Sequence, residues 1–182
     1  DLAGLPDYVK EQAADAAKNK NLTGWLFDLT APSYGPFMKF SERRDLREKM
    51  YRQYNTRAFG GELDNSKIIK RIAELRINVA NILAYKNFAE YQTERRMAKN
   101  PVVVEEFLNK LLEPALPKAR QEVAELNAYA KENGFDGEEL MPWDFSFYSE
   151  RLRAERYDLN DEMLKPYFQL DHCIDAIFDL AN

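Results

Sequence analysis

His172 and Cys173 stand side by side near the end of the sequence, and the chain holds no other histidine or cysteine. These residue types supply most protein nucleophiles, general bases and soft metal ligands. One of each excludes an intramolecular disulfide and the usual Cys/His structural zinc sites. A catalytic zinc held by two or three histidines is excluded as well. His172 could serve a serine as general base, but no Gly-x-Ser-x-Gly elbow occurs, so a surface or partly buried histidine is the plainer reading. Cys173 reads as a small apolar side chain. There is no phosphate loop and no dinucleotide fingerprint.

Three further groupings bear weighing. Asp158, Asn160 and Glu162 alternate like the start of a calcium loop. Such a loop needs glycine at its sixth position and glutamate at its twelfth, where Met163 and Gln169 stand; helix capping is the better reading. Trp143, Phe145, Phe147 and Tyr148 could line a ligand groove, although core packing explains them more simply. Residues 39–76 hold 11 Lys/Arg against 6 Asp/Glu in a chain of net charge −5. There Arg43, Arg44, Arg47, Lys49 and Arg52 alternate with Glu42, Asp45 and Glu48. Mixed charge at helical spacing reads as a solvated face with i,i+4 pairs, so nucleic acid is not an expected partner. No catalytic, cofactor-binding or metal-ligating residue is assigned: the expectation for all three classes is none.

The elements that would position any site are helical. With 182 residues, 45% of them apolar, and 11 Phe, 10 Tyr and 2 Trp, the chain can build a packed core as a single helical region over 1–182. No apolar run is long enough to span a membrane. Pro6 and Asp7 open a first helix that runs to Asn19. Gly24-Trp25-Leu26-Phe27-Asp28-Leu29 is the one candidate strand, or else an extended connector. A charged helix covers 42–57, with Leu46, Met50 and Tyr54 on one side. Phe59-Gly60-Gly61 ends it, and Asp64 or Asn65 caps the next. That helix has the clearest period: Ile68, Ile72, Leu75, Val79 and Ile82 form a 4-3-4-3 stripe that should bury against another helix. Residues 84–98 continue or restart it. Asn100-Pro101 opens a helix that Pro114 and Pro117 kink or restart, and Asn133-Gly134 ends its continuation. Asp171 to Asn182 forms a last helix with Ile174, Ile177 and Phe178 on one face, an apolar patch expected to be exposed.

Read in order, Gly4-Leu5-Pro6, Trp25 with Leu29, Pro32-Ser33-Tyr34, Arg44-Asp45-Leu46-Arg47-Glu48-Lys49, Asp64-Asn65 and Leu75-Arg76 with Ala80 form an ordered set. Tyr85-Lys86-Asn87-Phe88-Ala89-Glu90-Tyr91, Pro142-Trp143-Asp144 with Tyr148, and Lys165-Pro166-Tyr167-Phe168 complete it. The set resembles the middle region of the thimet oligopeptidase family of zinc metallopeptidases, which includes oligopeptidase A and the bacterial peptidyl-dipeptidases. The resemblance implies a mainly α fold, a bundle-like segment of a zincin-type oligopeptidase walling a channel for short peptides. In that family one zinc ion is held by His-Glu-x-x-His and a downstream glutamate. That motif lies C-terminal to the matched region, so the chain is expected to be a fragment lacking its catalytic domain and inactive alone. Ala84 and Ala176 stand where the family often has glycine, and both are small enough for helix packing to survive. The Tyr167-Phe168-Gln169-Leu170 and Glu113-Pro114-Ala115-Leu116 segments look more like the peptidyl-dipeptidases, so by this resemblance the parent is expected to be a peptidyl-dipeptidase that removes dipeptides from peptide C-termini. The alternative is a stand-alone helical interaction module. A cytoplasmic location is favoured, with a periplasmic one compatible.

Overall fold

The computed structural model describes residues 1–157 and 165–181. Among them the secondary structure is entirely helical: α1 (Asp7–Asn19), α2 (Ala31–Phe40), α3 (Arg44–Asn55), α4 (Ser66–Ile82), α5 (Phe88–Thr93), α6 (Pro101–Glu132), α7 (Phe145–Tyr157) and α8 (Leu170–Ala181). A 3-10 turn covers Lys165–Tyr167. The expectation of a mainly α fold holds. Residues 24–29 take the extended-connector form, and the Leu26 N–H donating to the Ala13 carbonyl ties them to α1. The turn expected over Asp158–Glu162 lies outside the described residues.

The chain forms two compact units, one of Asp1–Arg47 with Tyr129–Asn182 and one of Glu48–Ala128. In the first, α2 packs on both α1 and α7. Its core is built from Leu5, Val9, Ala13, Ala17, Phe37, Met38, Trp143, Phe147 and Tyr148. The spacing of Val9, Ala13 and Ala17 puts one small face of α1 inward, so helix backbones can approach closely. The α2 helix has no counterpart among the helices expected from the sequence. Pro32 sits in the first turn of α2, where its missing N–H is no loss, and Pro36 forfeits only the bond back to Pro32.

In the second unit α4 packs on α5. Asp64 accepts from the Ser66 N–H at 2.7 Å at the start of α4. Asn87 caps α5 by accepting from the Glu90 N–H at 2.9 Å. Asn100 likewise accepts from the Val103 N–H at 3.0 Å at the start of α6. That helix runs unbroken through both Pro114 and Pro117. It is not restarted there: each proline removes one N–H, and the remaining ladder of a 32-residue helix carries the chain through. The α4 stripe differs from expectation more sharply. Ile68, Ile72, Leu75, Val79 and Ile82 are 40–82% exposed, and Ala80 is the one buried residue of α4. No described helix other than α5 packs on α4, so the face that should bury itself is open. Ile174, Ile177 and Phe178 on α8 are exposed as expected.

Three helices end alike. After α1, α4 and α6, the residues Asn21, Ala84 and Gly134 take positive φ of 55°, 62° and 86°. In each case paired backbone bonds close the last turn, as with Tyr85 N–H to Ala80 C=O and Ala84 N–H to Asn81 C=O. Glycine and asparagine suit that conformation, whereas alanine carries a Cβ penalty. The departure at Ala84 therefore matters for backbone strain rather than for packing. Ala84→Gly should raise stability by about 0.5–1 kcal/mol, after allowing for the looser unfolded chain. A higher urea midpoint at unchanged slope would show it; a lower midpoint would refute it.

Candidate functional site

The densest polar construction in the described residues joins the start of α3 to the turn before α7. The Asp144 carboxylate is fully buried and accepts from four donors. Arg44 Nε reaches Oδ1 at 3.0 Å and Arg44 Nη2 reaches Oδ2 at 2.9 Å. Arg47 Nη2 donates to Oδ1 at 2.9 Å, and the Met141 N–H to Oδ2 at 3.1 Å. Arg47 is itself 2% exposed. Its other nitrogens donate to the backbone carbonyls of Ser41 at 2.7 Å and Trp143 at 3.1 Å. Burial pushes the Arg47 guanidinium below its usual pKa, opposed by its bond to Asp144. The Phe147 ring lies 4.1 Å from the guanidinium carbon of Arg47 and 4.3 Å from that of Arg151. Two cations on one carboxylate, with every geometry satisfied, make a clamp that fixes α3 against α7.

This placement corrects one sequence reading and supports another. Arg47 is buried rather than on a solvated face, although Arg52 does pair with Glu48 at 2.7 Å as i,i+4 spacing suggests. Trp143, Phe147 and Tyr148 are buried, so they serve as core, with Phe135 edge-on to Tyr148 at 5.8 Å.

A cleft of about 160 Å³ opens between α1 and the start of α2, lined by Val9, Ala13, Leu26, Phe27 and Ser33 among others. That is below the roughly 300–1,000 Å³ of a drug-sized ligand pocket. Its one carboxylate, Asp28, accepts from the Thr30 hydroxyl and N–H, and these bonds hold its pKa below the usual carboxylate value. A carboxylate so engaged stabilises the turn into α2 and is a poor general base.

His172 is exposed in the first turns of α8, and Cys173 beside it is half-buried as a free thiol. No group of three or more His, Cys, Asp or Glu side chains converges on a metal-sized site among the described residues. The donors present there do not fit zinc, which takes three or four nitrogen, sulfur or carboxylate ligands at close range. No described helix is long and apolar enough to cross a membrane.

Comparison with known proteins places this scaffold. The profile of peptidase family M3 matches residues 37–182. Oligopeptidase A of Haemophilus influenzae is 42% identical over 187 residues, covering 100% of this chain and 27% of the relative. Oligopeptidase A of Escherichia coli is 38% identical over the same span and coverage. Dipeptidyl carboxypeptidase of Escherichia coli is 32% identical over 185 residues, again 100% of this chain and 27% of the relative. The chain thus spans about a quarter of the length of these curated relatives. The clamp residues Arg44, Arg47 and Asp144 and the buried aromatics all fall inside the matched range. The chain belongs to peptidase family M3.

Proposed function

We propose that the chain is a helical, non-catalytic part of a zinc metallopeptidase that hydrolyses short peptides, and that its role there is to wall the substrate channel. Membership of peptidase family M3 carries this reading, supported by relatives named as oligopeptidases and dipeptidyl carboxypeptidases. The metal and the water-activating groups would come from residues outside 1–182, because the donors described within it do not fit a zinc site. The 182-residue chain alone should therefore neither retain stoichiometric zinc after dialysis nor cleave an unblocked peptide of about eight residues. Chelator-sensitive cleavage by the purified chain would overturn the non-catalytic role. A full-length protein that leaves short peptides intact would overturn the peptidase reading itself and favour an interaction module, which the open apolar faces of α4 and α8 would suit.

Identity over the whole chain is higher to oligopeptidase A than to dipeptidyl carboxypeptidase, which supports an oligopeptidase. The segments 113–116 and 167–170 support release of C-terminal dipeptides instead. The two modes differ in their need for a free substrate carboxylate, which a dipeptide-releasing enzyme must grip two residues beyond the cut. We expect C-terminal amidation to leave the rate of the full-length enzyme within about threefold, with cuts falling internally. Loss of cleavage on amidation would assign the dipeptidase mode. One Arabidopsis thaliana relative is named as a probable cytosolic oligopeptidase A, which supports the cytoplasmic expectation, whereas another is named as organellar.

A further inference from the structure

We infer that Asn133 is a modification site: with Gly134 it loses ammonia to become a carboxylate, and the closed turn after α6 withholds that reaction until the turn opens. Asn133 is the one asparagine in the sequence followed by glycine. Glycine has no Cβ to obstruct its own amide nitrogen, so that nitrogen reaches the preceding side chain more freely than in any other pair. In the reaction the Gly134 nitrogen bonds to Asn133 Cγ, and the bond from Cγ to Nδ2 breaks. Ammonia leaves with the proton that Gly134 gives up. Water then opens the cyclic imide at either carbonyl, which leaves an aspartate or an isoaspartate at position 133. Asp136-Gly137 lies nearby in the sequence, but a carboxylate is a weaker electrophile than an amide.

The structure holds the reacting atoms apart. Asn133 is exposed, yet its Nδ2 donates to the Tyr129 carbonyl at 2.9 Å, which turns the side chain back along α6 and away from Gly134. The Gly134 N–H donates to the Lys131 carbonyl at 3.3 Å, and the Phe135 N–H to the Ala130 carbonyl at 2.9 Å. Together these bonds close the helix end. Phe135 anchors the turn from below. It is 8% exposed and edge-on to Tyr148, with the Arg44 guanidinium carbon 5.4 Å from its ring centroid. A Cβ on Gly137 would lie 2.5 Å from the same ring, so the chain folds tightly over it. Ring closure needs the Asn133 side chain to rotate and the Gly134 amide to be released, and both require this turn to open.

Once made, the product works against reclosure. A new carboxylate there meets the negative end of the α6 dipole, with Glu132 beside it. Isoaspartate also adds a methylene to the main chain, which shifts Gly134 and Phe135 off their carbonyls. The site therefore records openings of this turn in one direction. This inference does not depend on the peptidase reading, because it rests on the turn alone.

The test compares the 182-residue chain with a terminally blocked peptide of residues 131–137 at neutral pH. Mass spectrometry over days follows replacement of NH2 by OH at position 133, and chromatography separates isoaspartate from aspartate. The peptide should convert at least about tenfold faster than the chain, because a closed turn reacts only through its openings. Phe135→Ala with its helical circular dichroism retained should convert about tenfold faster than the unsubstituted chain, and hydrogen exchange at the Gly134 amide should quicken with it. Asn133→Gln, which would have to close a larger ring, should show no conversion. Should Phe135→Ala lose its helices, urea below the unfolding midpoint supplies the second measurement: it should speed conversion in the unsubstituted chain and leave the peptide unchanged. Conversion of the chain at the peptide's rate, no acceleration in a folded Phe135→Ala, or a chain rate indifferent to urea would overturn the gating. No conversion in the peptide would overturn the site itself.

Discussion

Asp144→Ala should cost about 3–5 kcal/mol, the largest loss expected from any side-chain truncation in the clamp. The reason is what remains behind rather than what is removed. Arg47 is 2% exposed, and without Asp144 its guanidinium stays buried with two backbone carbonyls and the Phe147 ring but no counter-charge. An uncompensated buried charge is the costly state, whereas the intact pair repays its own desolvation through well-aligned bonds. The Met141 N–H would also lose its acceptor. Arg44 provides the contrast. Its side chain is 47% exposed, so Arg44→Ala leaves Asp144 still paired to Arg47 and should cost only about 1 kcal/mol. Urea unfolding followed by circular dichroism measures both. Salt up to about 0.5 M should barely change the Asp144→Ala difference, because screening acts weakly on buried pairs. If Asp144→Ala lost less than Arg44→Ala, the clamp would not be holding α3 against α7.

Much of the helical layout was legible because local signals and tertiary packing agree there. Asn100 before Pro101, Asn133 before Gly134, and the Pro6-Asp7 opening of a helix that runs to Asn19 each mark what the structure contains. The failures have specific causes. The segment 31–40 carries no helix signal of its own, yet two prolines one turn apart at a helix start cost little, and packing on α1 and α7 decides the outcome. The charged neighbours of Arg47 suggest a solvated face, but its burial is set by Asp144, nearly a hundred residues away, and one sequence carries no sign of that pairing. Pro142-Trp143-Asp144 carries part of the family resemblance, and its meaning comes only with the fold: the aspartate is the partner that makes a buried arginine tolerable.

The α4 stripe is the opposite case. Its period does mark a helix, Ser66–Ile82, and the burial the period implies is absent among the described residues. Periodicity reports that a face requires cover; it does not say that the cover lies within the same 182 residues. The absence of an assigned site has a similar origin. One histidine and one cysteine rule out sites built from several of either, but which of the 31 carboxylates come together is set by tertiary packing and is not written in their spacing.

Gly4→Ala should cost about 3 kcal/mol, far more than a glycine near a chain terminus ordinarily would. Gly4 has φ of +81°, which by itself costs an alanine about 1 kcal/mol. The larger part is steric. A Cβ there would fall inside van der Waals contact of the Phe40 carbonyl oxygen and 2.7 Å from Glu42 Cγ. The carbonyl is main chain at the end of α2 and cannot swing aside. Relief requires moving the segment that holds Gly4, which accepts from the Glu42 N–H through Ala3 at 3.0 Å and buries Leu5 to 3% exposure. Losing that bond and exposing that leucine sets the ceiling, because peeling the segment away is the alternative to bearing the clash. Gly24 separates the two contributions. Its φ is +89° and nothing lies within 4 Å of its Cβ position, so Gly24→Ala bears the conformational cost alone and should lose about 1 kcal/mol. Urea midpoints of the two variants give the difference. Faster hydrogen exchange at the Glu42 amide in Gly4→Ala alone would show where the strain is released. Equal losses in the two variants would mean that the close approach of residues 3–5 to residues 40–42 contributes nothing to stability.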